Sequence, residues 1–230
     1  MHLIAGIDEA GRGCLIGPMT LCGVCIEKER EAELQALGVK DSKQLSPGQR
    51  DRLAALIKEV VSSFQVILIS PGDIDRENLN YLSLKKSVEI IDRLSPDVVY
   101  LDVPAHGSGI RKYCQAVQRM VKHQHVRICG ENKADQNYPV VSAASIIAKV
   151  VRDREIHNLH AAYGDFGSGY PSDPKTRWFA RQYLSANQPL PPIIRAKWKT
   201  VTRLRGPRQK SLFPAGDYPC GEDDPASINA

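Results

Sequence analysis

The sequence predicts an α/β fold, a sheet with helices on its faces followed by a small C-terminal helical extension. Two patterns predict it. Short apolar runs of strand length alternate with longer stretches of helical periodicity, and after Gly164 the texture changes to a loop dense in Gly, Pro, Ser and Asp. The chain has 230 residues, 42% of them hydrophobic, which is enough to bury a sizeable core. No apolar run approaches the roughly 18 residues that a membrane span requires. The N-terminal MHLIAGIDEAGRG lacks the basic-then-apolar pattern of an export signal, and six cysteines in a chain this long do not make a disulfide framework. A cytoplasmic monomer with reduced thiols and no membrane partner is expected.

Each element follows from its local pattern. Leu3 to Ile7 is an apolar run that stops at Asp8, and Met19 to Ile26 is a second that ends in charge, so both read as strands joined by a Gly-rich turn. Ser46-Pro47, an N-cap followed by a first-turn proline, opens a helix over about 46–61 with Leu53, Leu56, Ile57 and Val60 on one side. A β-branched run over 64–70, a helix over 79–94 and a strand over 98–101 that stops at Asp102 come next. Helix, strand and helix recur near 109–121, 125–129 and 142–162, then helices near 175–186 and 193–204. Residues 1–165 are expected to form the main domain, 166–205 a loop and basic helical extension, and 206–230 a weakly ordered tail rich in Pro and Gly.

Charge is unevenly spread. The chain carries 31 Lys and Arg against 26 Asp and Glu, yet Pro174 to Gly216 holds ten basic residues and no acidic one. A basic end on an acid-rich body suggests a polyanionic partner, with Arg195, Lys197 and Lys199 as phosphate contacts, although a solvated helix face gives the same count.

Chemistry concentrates where strands stop. Asp8, Glu9 and Asp102 close two strands, and carboxylates gathered at strand ends repel one another unless a hard divalent cation compensates them. Adjacent residues of a regular strand face opposite sides, so Asp8 and Glu9 can meet at one point only if the chain bends there. Gly11 and Gly13 are expected to supply the bend through positive φ, which would make a β-branched residue at Gly13 damaging. Three acids at strand ends also suit simple exit of strands into water, so the residues alone leave both readings open.

The ordered motifs resemble those of ribonuclease HII. They are Gly6-Ile-Asp-Glu-Ala-Gly-Arg-Gly13, Asp41-Ser-Lys43, Lys133-Ala-Asp135, Ser142-Ala-Ala-Ser145, Gly167-Ser-Gly-Tyr-Pro171 and Asp173-Pro-Lys-Thr176. The resemblance implies a ribonuclease H-like fold with a mixed central sheet. It implies cleavage of RNA in RNA–DNA hybrids and 5′ to single ribonucleotides embedded in duplex DNA, leaving 5′-phosphate and 3′-hydroxyl ends. It also implies Mg²⁺ or Mn²⁺ held by Asp8, Glu9, Asp102 and Asp135 in a two-metal mechanism. Asp135 lies in a polar stretch that otherwise reads as surface loop. By the same resemblance Gly11, Arg12, Gly13 and Tyr170 read the ribose 2′ hydroxyl. Ser42, Lys43, Ser145 and Lys149 are offered as substrate contacts, with small residues at the start of the 142–162 helix admitting a phosphate at its dipole-positive end. The related ribonuclease HIII carries an added N-terminal substrate-binding domain, which is not expected before Asp8.

The remaining features are minor. Cys14 follows the glycine turn where the family often has proline or a small residue, and little loss is expected. Cys22 and Cys25 have Cys-x-x-Cys spacing, but strand positions three apart face opposite sides, so packing is expected of them. Gln209-Lys-Ser-Leu212 faintly resembles the first half of a sliding-clamp-binding peptide, with Ala215 and Gly216 where its aromatic pair would stand. Two other readings compete: a non-catalytic nucleic-acid-binding module driven by the basic end, and another two-metal nuclease on the same fold. Metal dependence separates the first and ribose selectivity the second.

Overall fold

The computed structural model describes residues 2–39 and 45–205. Asp41, Ser42, Lys43, the clamp-like Gln209–Leu212 and the whole 206–230 tail lie outside the described residues. Strand β1 spans Leu3–Ala10 and β2 Met19–Glu27, and a 3₁₀ turn leads to the short helix α1, Glu31–Ala36. Helix α2 (Pro47–Val60), strand β3 (Ser63–Ile69), helix α3 (Pro71–Arg76), helix α4 (Leu79–Leu94) and strand β4 (Val98–Asp102) follow. Then come α5 (Ser108–Met120), β5 (Arg127–Glu131), a 3₁₀ turn over Ala134–Gln136, and the long α6 (Pro139–Tyr163). Helices α7 (Pro174–Ser185) and α8 (Lys199–Leu204) complete the order. No helix among the described residues is long and apolar enough to cross a membrane.

The strands form one five-stranded mixed sheet in the order β3-β2-β1-β4-β5. β1 pairs antiparallel with β2 and parallel with β4, where Ile7 stands beside Leu101. This register brings Asp8 and Asp102, the next residues on each strand, to the same end of neighbouring strands. Alternation along β1 sorts its side chains. Ile4 and Ala10 pack in the core beneath α6 and α2, whereas Ala5 and Ile7 pack in the core beneath α4 and α5. Cys22 and Cys25 fall in those two different cores as free thiols, so their packing role holds.

The predicted Ser46 cap is present as a full capping box with Gln49, whose N–H donates to Ser46 Oγ at 3.4 Å. Helices α1 and α3 escaped the sequence because six residues leave no readable periodicity. The last helix starts at Lys199 rather than near 193. Residues 193–195 instead run alongside the glycine turn, with Ile16 bridging Ile194 and the Arg195 N–H donating to Leu15 O at 2.9 Å. A third core of Leu15, Ile16, Phe166, Phe179, Ile193 and Val201 joins that turn to the extension.

Helix α6 begins at Pro139, three residues earlier than its pattern predicts, because the residue before that proline is Tyr138, which makes no side-chain cap to mark the start. Its small residues Ala143 and Ala144 are fully buried, so they serve close helix-sheet packing rather than a phosphate at the helix end. The tightest point is Gly6, where an added Cβ would lie 2.4 Å from the Val140 backbone carbon. Gly6→Ala is therefore expected to lower stability by about 1–3 kcal/mol, measurable by urea denaturation, since backbone cannot yield as a flexible side chain can.

Candidate active site

The chain does not bend between Asp8 and Glu9. Strand β1 continues to Ala10, with Asp8 opposite Cys22 and Glu9 opposite Leu21, so the two carboxylates leave opposite faces of the same strand end. Each is met by a different helix. Asp8 is buried against α6 and accepts a hydrogen bond from Ser145, while Glu9 Oε2 accepts from Ser83 Oγ of α4 at 2.7 Å. Arg12 completes the Glu9 cradle, its Nη1 donating to Oε1 at 2.7 Å and its Nη2 to Asn80. Asn80 and Ser83 are held there because Asn78 caps α4 and accepts the Asn80 N–H at 3.0 Å. Neither gave a sequence signal, since both are ordinary polar residues of an amphipathic helix.

Asp102 ends β4, and its Oδ1 accepts the Lys133 N–H at 2.9 Å, fixing the turn that carries Asp135. Ser142 of α6 donates to the Asp135 backbone carbonyl, tying that turn to the helix. Asp8, Glu9, Arg12, Asp102, His106, Asn132 and Lys133 line a cavity of about 390 Å³. Burial, and then the charge of Asp102, push the Asp8 carboxyl up to about 8. Burial also raises Asp102, with Asp135 and Glu9 adding to the rise.

Among the described residues, no three acidic, His or Cys side chains already converge as a closed ligand cage. The donor set is nonetheless all oxygen, and burial together with neighbouring carboxylates disfavours the charged forms of Asp8 and Asp102. That suits an ion such as Mg²⁺, which binds through one or two carboxylates and keeps several waters. The residues that could hold it are Asp8, Glu9, Asp102 and Asp135.

A second cavity of about 430 Å³ shares Glu9 and Arg12 with the first, and its other walls include Gly11, Gly13, Arg50, Ser145, Lys149 and Tyr170. The structure thus brings together Gly11, Arg12, Gly13, Ser145, Lys149 and Tyr170. Lys149 pairs with Asp153 at 2.7 Å, and its Nζ stands 5.9 Å from the Tyr170 ring. The Arg152 guanidinium lies 4.8 Å over that ring, and burial raises the Tyr170 hydroxyl to about 12.

The glycine turn differs from its expected form. Gly11 has φ +79° and Gly13 has no positive φ, so only one of the pair uses glycine's freedom. An added Cβ on Gly13 meets nothing within 4 Å, whereas one on Gly11 would lie 2.9 Å from Pro18 O. Cys14 is fully buried and accepts from Arg152 Nη2 at 3.0 Å, making it part of the turn's support. Arg152 Nη2 also donates to Ser168 O at 2.6 Å, linking this turn to the Gly167–Pro171 segment. That segment is folded by Asp173, which caps α7 and accepts the Ser168 N–H at 2.7 Å, and by Thr176, whose Oγ1 accepts the Gly169 N–H at 3.0 Å.

Arg195 overturns the charge count. It is completely buried, and its guanidinium donates to the carbonyls of Gly11 and Arg12, each at 2.7 Å, and of Gly17 at 3.1 Å, so it touches no solvent-side phosphate. Lys197 and Lys199 are exposed as expected. Lys197→Ala with Lys199→Ala should flatten the slope of log affinity against log salt by about 0.9 for every phosphate no longer neutralised, measured on an RNA–DNA hybrid. An unchanged slope would exclude this surface from binding.

Comparison with known proteins agrees with the geometry. The family model for ribonuclease HII matches residues 5–201. Ribonuclease HII of Archaeoglobus fulgidus is 42% identical over 213 residues, covering 90% of this chain and 98% of that protein. The Pyrococcus furiosus ribonuclease HII is 41% identical and covers 87% and 90%. Among solved structures, ribonuclease H2 from Pyrococcus horikoshii superposes with a TM-score of 0.82 at 39% identity, covering 88% of this chain and 97% of that one. The ribonuclease HII in a PCNA:RNase HII complex from Archaeoglobus fulgidus gives 0.78 at 40% identity, covering 86% and 95%. With relatives this similar along nearly the full length of both chains, the chain belongs to the ribonuclease HII family and is an endoribonuclease acting on the RNA strand of RNA–DNA hybrids.

Proposed function

We propose that this endoribonuclease also nicks duplex DNA on the 5′ side of a single embedded ribonucleotide, leaving 5′-phosphate and 3′-hydroxyl ends. The observation that carries the reading is the pair of cavities joined at Glu9 and Arg12, with acids in one and the Gly11–Gly13 turn and Tyr170 in the other. A ribose lying against that turn has its phosphate beside the acids. The 2′ hydroxyl both donates and accepts, and the backbone amides of a glycine turn can approach it closely. When bound at Asp8, Glu9, Asp102 and Asp135, two Mg²⁺ or Mn²⁺ ions would supply activation of the attacking water and charge stabilisation of the leaving oxygen. Asp8 and Asp102, raised by burial, are the groups with most to gain from such ions.

Ser145 and Arg12 orient Asp8 and Glu9, while Tyr170, backed by Arg152, offers a flat face for the sugar. Lys149 and Arg50 line the same cavity and suit flanking phosphates, and the motif resemblance adds Ser42 and Lys43 as further substrate contacts. The Archaeoglobus fulgidus relative solved with PCNA supports a sliding clamp as a further partner. The test is cleavage of a duplex carrying one ribonucleotide against its all-DNA match, with and without EDTA. Metal-dependent nicking at the ribonucleotide alone is expected, and equal cleavage of both duplexes would refute ribose selection.

A further inference from the structure

Arg195 is a buried cation whose hydrogen bonds run to three backbone carbonyls of one loop, an expensive arrangement for a side chain that only fills space. Its Nε and Nη2 both donate to Gly17 O, at 3.2 and 3.1 Å, while Nη2 also reaches Gly11 O and Nη1 reaches Arg12 O. The Trp198 ring stands 5.3 Å from the guanidinium carbon, and Asp75 accepts the N–H groups of Ala196 at 2.7 Å and Lys197 at 3.1 Å, fixing the segment on its far side. The planar fork of a guanidinium is suited to hold several carbonyls at once.

The consequence lies in the peptide planes. In a trans peptide the C=O and the following N–H point in opposite directions, and the described chain has no cis bond. With the Gly11 and Arg12 carbonyls drawn inward to Arg195, the N–H groups of Arg12 and Gly13 are turned outward. Neither donates to any described group, and both residues line the cavity that contains Tyr170. We propose that Arg195 is the positioning residue for ribose selection, turning the Arg12 and Gly13 amides toward the substrate from the core side. This rests on the reading that the Gly11–Gly13 turn meets the 2′ hydroxyl. It assigns to a residue almost two hundred positions away the orientation of the donors that make the contact.

The test compares affinities for a duplex with one ribonucleotide and its all-DNA match, both measured in an Asp102→Asn background so that substrate stays intact. Arg195→Lys keeps the charge but replaces the planar fork with a single ammonium. The ribonucleotide preference should fall about 10-fold or more, while all-DNA affinity, its salt slope and Mn²⁺ titration stay within about twofold. Arg195→Ala should lose the preference too, and added guanidinium should restore part of it. The proposal is overturned if a folded Arg195→Lys keeps the full preference, or if affinity for both duplexes falls together. It is overturned as well if neither variant folds, since Arg195 would then be a general strut. If the Asp102→Asn parent shows no preference at all, the ribose-reading assignment itself fails, whatever Arg195 does.

Discussion

Asp102→Asn is expected to lower kcat/KM on an RNA–DNA hybrid by roughly two to three orders of magnitude with the fold intact. The substitution is close to isosteric. Its Oδ1 can keep the bond from the Lys133 N–H at 2.9 Å, so the turn that carries Asp135 stays in position. What is lost is one negative charge at the shared end of β1 and β4, where a divalent cation would bind. The same loss relieves Asp8, whose carboxyl is held near 8 by burial and then by the Asp102 charge. A raised folded pKa means the folded chain keeps a proton that the unfolded chain has released. Without metal, stability therefore falls as pH rises through that window, from the ordinary carboxylate range to about 8. In EDTA the variant should show a shallower fall and a melting temperature equal to or above that of the parent. Wild-type turnover in Mg²⁺ would remove Asp102 from the catalytic set. Lost turnover with a lower melting temperature would mark a structural role instead.

Those acids were partly legible in the sequence because a strand that stops on a carboxylate announces its own end. Asp8 and Asp102 stood out for that reason, but their adjacency depends on parallel pairing of β1 with β4, which no local pattern encodes. Asp135 sits in a 3₁₀ turn with no periodicity, and only the resemblance of the motif marked it. The expected bend between Asp8 and Glu9 failed for a geometric reason. A site at the ends of central strands can draw on both faces of the sheet, so each acid is held by the helix on its own side. Arg195 misled because counting charge treats every Lys and Arg as solvated. The neighbouring Ile193, Ile194 and Trp198 were the available sign of a segment turned inward, and the third core shows why.

Gly11→Val is expected to reduce cleavage at an embedded ribonucleotide by about two orders of magnitude or more, with Mn²⁺ binding retained. Gly11 has φ +79°, which a β-branched residue resists, and its Cβ would press on Pro18 O at 2.9 Å and on Arg152 Cγ at 3.3 Å. Relief of either clash moves the peptide whose carbonyl Arg195 holds, and so moves the Arg12 amide. Gly13 behaves differently, because it lacks a positive φ and has open space around an added Cβ. Gly13→Ala should leave stability within about 0.5 kcal/mol of the parent, and any loss of cleavage there would come from filling the cavity. Tyr170→Ala falls between them. It removes a flat face worth about 1–3 kcal/mol in single-strand binders, so cleavage should drop by roughly one to two orders of magnitude. Cleavage assays on all three, each paired with a melting curve, separate backbone strain from removal of a substrate-facing surface. If Gly13→Ala unfolds the chain while Gly11→Val cleaves normally, the turn is not built as its geometry indicates. The amides would then have to be assigned elsewhere.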